Sequence, residues 1–524
     1  MTGIIQRINK LAALTPYILL AFGIFRQFST YISRFNEPLL GMFEFRETQT
    51  ALSAYWMAQG GPKLIYETPV LGAPYTIPFE FPFFQWLTAL LATLSPLSID
   101  SSARTVSFIF FGLCIFLAYK ILRFLDFSRS TGILFIGLLC LSPLYLYWSA
   151  TSMIESMALA FALAWLLTYL KFLKSDNYLY LGLSIVFGTM AALEKITSFP
   201  PMALIGGVLT LVYFYQNWMK DRDGLLPFFK RNILKACLLL STVIIPVIAV
   251  DIWVHVSDAA KAQNAMGQSV TSEALRSFNF GTLEQRLRLE DWKKVIFGRS
   301  LEHILGAGWF IVLLLAAAFL RSIKGCVAVG LCFAAYLVAP LLFWRLHMVH
   351  YYYQYANGIF LLFGTAVIFR EAFKKQAVIA AVALLAVSFV MTTTFTEVFR
   401  AYMTPSKSGI AKRTLPPAKW IRENTSPDSA LYVFGNDWSS HVHLYAQRKG
   451  IAAKLGLSYA QVDAMLTDID AHTGGMPLES IVVCERVFKD WQDKGKEQSR
   501  TKRLEAFLET RQFIQKFDRC SLYN

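Results

Sequence analysis

Charged residues are scarce in this sequence. They make up 16% of its 524 residues, whereas hydrophobic residues make up 55%, and the mean hydropathy is +0.44. Soluble globular proteins contain more charge and less apolar residue content than this. Repeated apolar runs of about 20 residues are typical of transmembrane helices. The composition therefore excludes an ordinary soluble protein and predicts one that crosses a membrane several times.

The sequence also lacks the patterns of a signal peptide, a cysteine metal site and a repeat protein. No small-residue cleavage site follows the first apolar run, which comes after Arg7 and Lys10, so we predict a retained helix and not a signal peptide. No Cys-x-x-Cys spacing suggests a metal site, and we see no internal repeat and no low-complexity tract. Cys484 and Cys520 lie in the polar C-terminal part and could pair if that part is extracytoplasmic.

The apolar runs predict a mainly α-helical, polytopic fold with about eleven transmembrane helices. They lie near residues 12–32, 102–121, 130–148, 152–172, 178–193, 197–216, 237–256, 303–320, 326–343, 355–369 and 377–396. With the N-terminus in the cytoplasm, the inner loops carry fifteen basic residues, among them Lys120, Arg222 and Lys324, against five acidic ones, among them Asp223. This distribution satisfies the positive-inside rule. The net charge of +15 therefore indicates topology and not nucleic-acid binding.

Three long segments then fall outside: residues 33–101, residues 257–302 and a tail from about residue 400. The tail starts with a predicted linker, TPSKSGIAKRTLPPAKW. After it, SALYVFG and ESIVVCERV predict strands, and SYAQVDAMLTDIDAH and the segment 489–516 predict helices. We therefore expect a transmembrane domain, 1–399, and a small extracytoplasmic α/β domain, 400–524.

The first outer loop, 33–101, predicts two helices that lie in the membrane interface. In the first, from Phe45 to Gln59, Leu52, Tyr55 and Trp56 form an apolar stripe at helical spacing. The second starts near Pro78, in the stretch PFEFPFFQWLTALLATL, whose aromatic content suits the interfacial belt. Each helix has a carboxylate near its start, from Glu44 and Glu80.

Several charged or polar residues at the predicted outer face are candidates for chemistry. Glu44, Arg46 and Glu47 are either a solvated set of loop charges or a base with an arginine that holds an anion. Glu155 and Lys195 lie at outer helix ends, where such residues either extend to the surface or serve a function, and Lys195 could also pair with its neighbour Glu194. The stretch WRLHMVHYYYQYANG, which contains His350, Tyr351 and Tyr352, is either an aromatic belt or a set of phosphate donors.

Carboxylates and cations together at a membrane surface suit sugar transfer from a polyprenyl phosphate. A carboxylate takes the proton of an acceptor hydroxyl, the oxygen attacks the anomeric carbon, and cations stabilise the departing phosphate. The alternative is a transporter or flippase of lipid-linked saccharides. Transporters often show paired repeats and charges near the membrane midplane, and this sequence shows neither pattern.

The same residues resemble the membrane glycosyltransferases of the C-type fold, especially bacterial relatives of protein O-mannosyltransferase and of the lipid A aminoarabinose transferase. The first-loop motif is FEFRETQTALSAYW, where the family's carboxylate and arginine match Glu44 and Arg46. The Glu-aromatic-Pro run matches Glu80 in EFPFFQWLTALL, and SARTVSF supplies the helix-opening Arg104. Further matches are Glu155, Lys195, the His350-Tyr351-Tyr352 stretch and the tail segment GNDWSSHVHLYAQRKG.

The sequence departs from the family pattern at Phe43, Glu47 and Phe81, so Glu44 and Glu47 both stay candidates for the base. The resemblance implies an inverting transferase with a polyprenyl-phosphate sugar donor and a glycan, lipid or protein acceptor. Some members bind a divalent cation and others need none, so the resemblance leaves the cofactor open. We expect a bacterial inner-membrane location, and the basic inner loops favour a cytoplasmic N-terminus and a periplasmic or otherwise extracytoplasmic C-terminal domain.

Overall fold

The computed structural model describes residues 2–221, 224–491 and 499–524. Arg222 and Asp223 of the predicted inner loop, and residues 492–498 of the predicted helix 489–516, lie outside the described residues. The α-helices in chain order are α1 Thr2–Ala12, α2 Thr15–Arg34, α3 Glu44–Gly60, α4 Phe83–Leu94, α5 Ile99–Phe124, α6 Arg129–Leu141, α7 Pro143–Trp148, α8 Glu155–Ser175, α9 Tyr178–Lys195, α10 Phe199–Asp221, α11 Leu225–Ala262, α12 Arg276–Phe280, α13 Leu283–Leu287, α14 Leu289–Lys293, α15 Glu302–Leu305, α16 Gly308–Phe319, α17 Ile323–Leu342, α18 Trp344–Val349, α19 Gln354–Lys375, α20 Ala377–Phe399, α21 Gly409–Asn424, α22 His441–Ala446, α23 Tyr459–Thr467, α24 Ile469–Thr473, α25 Arg486–Asp490 and α26 Arg500–Glu509.

The polytopic helical fold is confirmed, with fewer spans than predicted. Within the described residues, eight helical stretches are long and apolar enough to cross a bilayer. The number rises to nine if Leu289–Leu305 and Gly308–Phe319, which meet at 92°, form one span. The predicted helices 178–193 and 197–216 belong to one stretch of 43 residues, and the predicted helix 130–148 divides at Ser142 into two short helices.

Within the stretch of 43 residues, Tyr178–Lys220, helix α9 ends at Lys195. The backbone of Lys195 is extended, with φ −160° and ψ 95°, where α9 gives way to a short 3-10 turn before α10. At 1.5 Å per residue the whole stretch would extend over about 65 Å, roughly twice the hydrocarbon thickness of a bilayer. Its length therefore suits two crossings, and Lys195 lies at the turn from one helix to the next.

Residue contacts divide the chain into two compact units. The helical unit comprises Met1–Ser33, Ser107–Trp253 and Arg276–Arg400, and the sheet unit comprises Arg34–Val106, Val254–Leu275 and Ala401–Asn524. The sheet unit thus combines the first predicted outer loop with the C-terminal part of the chain. The division into domains 1–399 and 400–524 stays a prediction.

In the helical unit, α8 and α19 are enclosed by other helices. Protein covers 89% of the apolar window of α8 but only 17% of that of α11. Small buried residues on α8, such as Ala158 and Ala162, allow neighbouring helices to approach closely. The exposed apolar side chains of the peripheral helices are suited to lipid, because hydrocarbon tails are as apolar as leucine.

The sheet unit contains a five-stranded sheet. Its strands are β1 Ala430–Phe434, β2 Lys449–Ala452, β3 Leu478–Cys484, β4 Phe513–Phe517 and β5 Cys520–Tyr523, in the spatial order β2-β1-β3-β5-β4. Strands β2, β1 and β3 pair in parallel. Strand β5 pairs antiparallel with β3, and β4 pairs antiparallel with β5. The predicted strands SALYVFG and ESIVVCERV are confirmed as β1 and β3. The predicted helix 489–516 is wrong at its end, which forms edge strand β4, and Cys484 forms a disulfide with Cys520.

The predicted linker 404–420 is also wrong, because most of it lies in α21. Ser408 caps the helix by accepting a hydrogen bond of 3.1 Å from the backbone N–H of Ala411. Ala411, Thr414, Ala418 and Ile421 are buried and follow at helical spacing. Burial of this face holds the helix together although it contains two prolines.

The core of the sheet unit includes residues of the first loop. Leu39, Leu52 and Leu71 pack in one apolar cluster with Leu431 and Ile481 of the sheet. Both predicted loop helices are present as α3 and α4, but α3 differs from the predicted amphipathic stripe. Its residues 47–54 are all buried, because the C-terminal residues cover a second side of the helix.

Candidate functional site

Glu44 is the first residue of α3 and is partly buried. The pKa of its carboxyl is raised to about 7, chiefly by burial and in smaller part by the charge of Glu47. A backbone hydrogen bond of Glu44 and the charge of Arg413 lower the pKa and oppose these effects. A carboxyl group that titrates near neutral pH can accept a proton in one step and release it in another.

Arg46 lies two residues along the same helix and forms an ion pair with Glu80. One terminal nitrogen of its guanidinium donates to Glu80 Oε2, the other donates to Gln49 Oε1, and the group lies 5.9 Å from the ring centre of Phe79. The second carboxylate oxygen of Glu80 accepts a hydrogen bond of 2.6 Å from Gln85. The structure therefore joins Arg46 to Glu80, 34 residues apart in the chain.

Glu47 is fully buried and belongs to a different set of charges. It interacts electrostatically with Asp100 and Arg104, and Arg104 donates hydrogen bonds to the carbonyls of Glu37 and Pro38. Tyr445 donates to Asp100 Oδ2 at 2.9 Å. This buried group connects the first loop to α22 in the sheet unit.

An aromatic group lies beside Glu44 and Arg46. The indole of Trp438 is 4.8 Å from the ring of Phe45 and 5.8 Å from that of Phe79. The Nζ of Lys454 lies 4.9 Å from the Trp438 ring, and that of Lys261 lies 5.4 Å from the Phe79 ring. These cations and Trp438 are missing from the sequence-based site. Trp438 occurs in the quoted motif GNDWSSHVHLYAQRKG, but no local signal in the sequence marks either lysine.

In the helical unit, Lys195 forms an ion pair with Glu155. The side chains are only 10% and 3% exposed, respectively. The Nζ of Lys195 also lies 4.9 Å from the ring centre of Tyr352 and 3.9 Å from that of Tyr353. The structure thus joins three of the predicted residues, and it adds Tyr353.

His350 belongs to the same group, because its ring stacks on that of Tyr352 at 5.1 Å. Tyr351 has other neighbours: the guanidinium of Arg299 at 3.9 Å and the ring of His303 at 4.2 Å. Residues Tyr351–Tyr353 form a 3-10 turn, so successive side chains point in different directions. His347, nearby in the sequence, has a pKa lowered to about 3, chiefly by burial, and is a neutral hydrogen-bond partner of Gln354.

The residues offer little to a divalent cation. Among the described residues, no three His, Cys, Asp or Glu side chains come together as a metal-binding group. Both carboxylate oxygens of Glu80 already accept hydrogen bonds, from Arg46 and Gln85. The described residues of the two predicted groups therefore do not fit a divalent cation.

The predicted residues thus fall into two groups, each within one unit, in which Glu47 and Tyr351 have partners of their own. The loop group, in the sheet unit, contains Glu44, Arg46, Glu47 and Glu80. The helix-end group, in the helical unit, contains Glu155, Lys195, His350, Tyr351 and Tyr352.

Comparisons with known proteins agree with the fold. Residues 77–248 match the family model described as dolichyl-phosphate-mannose-protein mannosyltransferase, a segment that contains Glu80, Glu155 and Lys195. No curated protein sequence matches the chain.

Two solved structures are similar to this chain. ArnT from Cupriavidus metallidurans bound to undecaprenyl phosphate is 13% identical over 97% of each chain, with a TM-score of 0.59. The oligosaccharyltransferase of Archaeoglobus fulgidus in its apo form is 13% identical over 90% of this chain and 69% of that chain, with a TM-score of 0.50. These comparisons confirm the resemblance predicted from the sequence: this chain has the C-type fold of membrane glycosyltransferases, and its segment 77–248 matches the mannosyltransferase family.

Proposed function

We propose that this protein transfers a sugar from a polyprenyl-phosphate donor to an acceptor at the outer face of a bacterial inner membrane. The acceptor is a cell-envelope glycan, lipid A or a protein. The family match supports glycosyl transfer, and the undecaprenyl phosphate in the similar ArnT structure supports the class of lipid carrier. The transporter alternative receives no support from these comparisons.

The observation that carries the proposal is the surroundings of Lys195. Its ammonium lies in the family-matched segment, is held by Glu155, and rests against the rings of Tyr352 and Tyr353. A cation held by a carboxylate and by tyrosine rings is suited to a phosphate, because charge-assisted hydrogen bonds to phosphate are strong. Lys195, Tyr352 and His350 would bind the donor phosphate, and Tyr351 would supply a further hydroxyl.

Glu44 is the base in this proposal. Its carboxylate takes the proton of the acceptor hydroxyl while the acceptor oxygen bonds to the anomeric carbon and the bond to the phosphate oxygen breaks. The products are the glycosylated acceptor and polyprenyl phosphate, with the proton on Glu44. Inversion at the anomeric carbon follows from the family resemblance. We prefer Glu44 to Glu47 because Glu47 is fully buried among the charges of Asp100 and Arg104.

Arg46 and Glu80 have a positioning role here. Arg46 is held between Gln49 and Glu80, so it offers a fixed positive charge two residues from the base. Glu80 and Glu155 orient their cations and shape the surroundings of sugar and acceptor.

We also propose that the N-terminus is cytoplasmic and that the sheet unit is extracytoplasmic. The basic inner loops support this orientation. The disulfide between Cys484 and Cys520 supports it independently, because disulfides persist in oxidising compartments.

The test is release of polyprenyl phosphate by purified protein in lipid vesicles. A panel of polyprenyl-phosphate sugars serves as donors, and a membrane extract supplies acceptors. The wild type is compared with Glu44→Gln, Glu47→Gln and the control Glu509→Gln, which changes an exposed carboxylate of the sheet unit. Loss of a general base predicts a rate lower by about 10²–10⁴-fold for Glu44→Gln, with an unfolding temperature no lower than that of the wild type.

Each other outcome has a definite meaning. Equal release by the wild type and Glu44→Gln would remove Glu44 from the chemistry and point to Glu47. If the folded wild type released polyprenyl phosphate from no donor, the proposed transfer reaction would be wrong. A loss of release in Glu509→Gln would show that the assay reports general damage to the sheet unit.

A further inference from the structure

Three cations surround the aromatic group of Phe45, Phe79 and Trp438 in the sheet unit, and two of them have carboxylate partners. Arg46 pairs with Glu80, and Lys261 lies 3.3 Å from Asp258. Lys454 is different. Its ammonium lies over the Trp438 indole and donates to the hydroxyl of Ser269, and in the described part of the chain it forms no ion pair with a carboxylate.

The charge of Asp437 raises the pKa of Lys454. Asp437 Oδ1, however, accepts a hydrogen bond of 3.1 Å from the backbone N–H of Leu455. Burial has the larger effect and lowers the pKa of Lys454 to about 8. A half-buried ammonium with a hydroxyl and an indole as neighbours has given up water without gaining a counter-ion, so an anionic ligand would stabilise it.

The position of this lysine suggests which molecule brings the anion. Trp438, beneath the ammonium, contacts Phe45, the residue that follows Glu44. Because Glu80 and Asp258 are each neutralised by a cation, an anion beside Lys454 would meet little repulsion from them. An aromatic ring beside polar donors is also a suitable surface for a sugar, since one end of such a site is apolar and the other polar.

We infer that Lys454 and Trp438 bind an acceptor sugar that carries a phosphate or carboxylate group. The inference rests on the proposed function, because it gives these residues the acceptor of that reaction. It assigns the C-terminal part of the chain a direct role in acceptor choice. It also places the anion of the acceptor next to the aromatic group that adjoins the proposed base.

A binding experiment tests whether Lys454 and Trp438 bind an anionic sugar, without requiring turnover. The unfolding temperature of the purified protein is measured with glucose 6-phosphate, glucuronate or glucose, in the wild type, Lys454→Met, Lys454→Arg and Lys419→Met. Lys419 is an exposed lysine of the same unit, 67% exposed and 4.0 Å from Glu423. We expect at least one anionic sugar, but not glucose, to raise the unfolding temperature of all proteins except Lys454→Met.

Two results would overturn the inference: no anionic sugar stabilises the wild type, or Lys454→Met responds as the wild type does. The two anionic probes distinguish phosphate from carboxylate. In the turnover assay, Lys454→Met should raise the KM for the acceptor about tenfold and leave the KM for the donor unchanged. A wild type that binds an anionic sugar but releases no polyprenyl phosphate would contradict the proposed function and leave this binding site in place.

Discussion

At the start of α3, which carries most of the loop group, three consecutive residues contact different partners, whereas in the helix-end group residues from distant segments meet. Phe45 contacts Trp438, Arg46 pairs with Glu80, and Glu47 interacts with Arg104. Successive residues of a helix are rotated by about 100°, so a run of charges at a helix start is spread around the axis. Lys195, by contrast, joins Glu155 of α8 to Tyr352, more than 150 residues later in the sequence.

The two groups also differ in their ion pairs. The Lys195–Glu155 side chains are 10% and 3% exposed, and those of Arg46 and Glu80 are 22% and 7% exposed. A buried pair is expensive to break, because the remaining charge stays without solvent or partner. A pair with more access to water loses less when one partner changes. We therefore expect substitutions in the Lys195–Glu155 pair to reduce the free energy of unfolding more than substitutions in the Arg46–Glu80 pair.

The largest effect on stability should come from Lys195→Met. This change leaves the carboxylate of Glu155 buried without its cation, so we expect the free energy of unfolding to fall by about 3–5 kcal/mol. The double variant Glu155→Gln/Lys195→Met should recover most of that loss. Denaturant titration of the detergent-solubilised protein measures these differences.

The control for this prediction is Lys374→Met. Lys374 pairs with Glu371 but is 48% exposed, and Arg370 also lies 3.8 Å from that carboxylate. We expect a loss of no more than about 1 kcal/mol. If Lys195→Met were no more harmful than this control, the buried pair would not hold the helix-end group together.

The second largest effect should be a change in the stability of the protein with pH, caused by Glu44 of the loop group. Glu44 has a pKa of about 7 in the folded protein against an ordinary value of 4.5. Between these pH values the folded state holds a proton that the unfolded state has released, so stability falls as pH rises. Relative to Glu44→Gln, the wild type should therefore lose roughly 1–3 kcal/mol between about pH 4.5 and pH 7.

Unfolding temperatures across this pH range check the prediction, with Glu509→Gln expected to follow the wild type. A wild type that gains stability over Glu44→Gln as pH rises would mean that the carboxyl is not held protonated by burial. The rate of polyprenyl-phosphate release should change in the opposite sense to stability. It should increase with pH to a plateau above about pH 8, because the base must be ionised to accept a proton.

Much of the fold was predictable because hydrophobic patterning is a local signal. The long apolar runs located the membrane helices, and alternation with turn residues located β1 and β3. The errors come from segments whose conformation depends on distant packing. Pro416 and Pro417 suggest a linker, yet burial of Ala411 and Ile421 makes α21 helical. Edge strand β4 forms only because β5 provides its hydrogen-bonding partner.

For the candidate site, the sequence likewise revealed local features but not those that depend on distant packing. The residue types of Glu44, Arg46, Glu155 and Lys195 were recognisable because charge near apolar runs is rare. Their pairing was not, since the Arg46–Glu80 and Lys195–Glu155 pairs depend on how the loop and the helices fold back. No sequence pattern indicated that Lys454 lies over an aromatic ring, because this contact depends on Trp438 in a neighbouring loop.

Arg46→Lys, in the loop group, should have the smallest effect on stability. Arg46 donates from two terminal nitrogens to Gln49 and Glu80 and lies over Phe79. A lysine keeps the charge but has a single ammonium, which is not matched to two acceptors in a fixed fork. We expect a loss of about 1 kcal/mol in the free energy of unfolding, the value of one hydrogen bond.

The control is Arg503→Lys, which changes an arginine paired with the half-exposed Asp463 in the same unit. It should lower the free energy of unfolding by less than Arg46→Lys does. If Arg46→Lys destabilised the protein as strongly as Lys195→Met, the Arg46–Glu80 pair would be as dependent on burial as the helix-end pair, and the difference between the two groups would disappear.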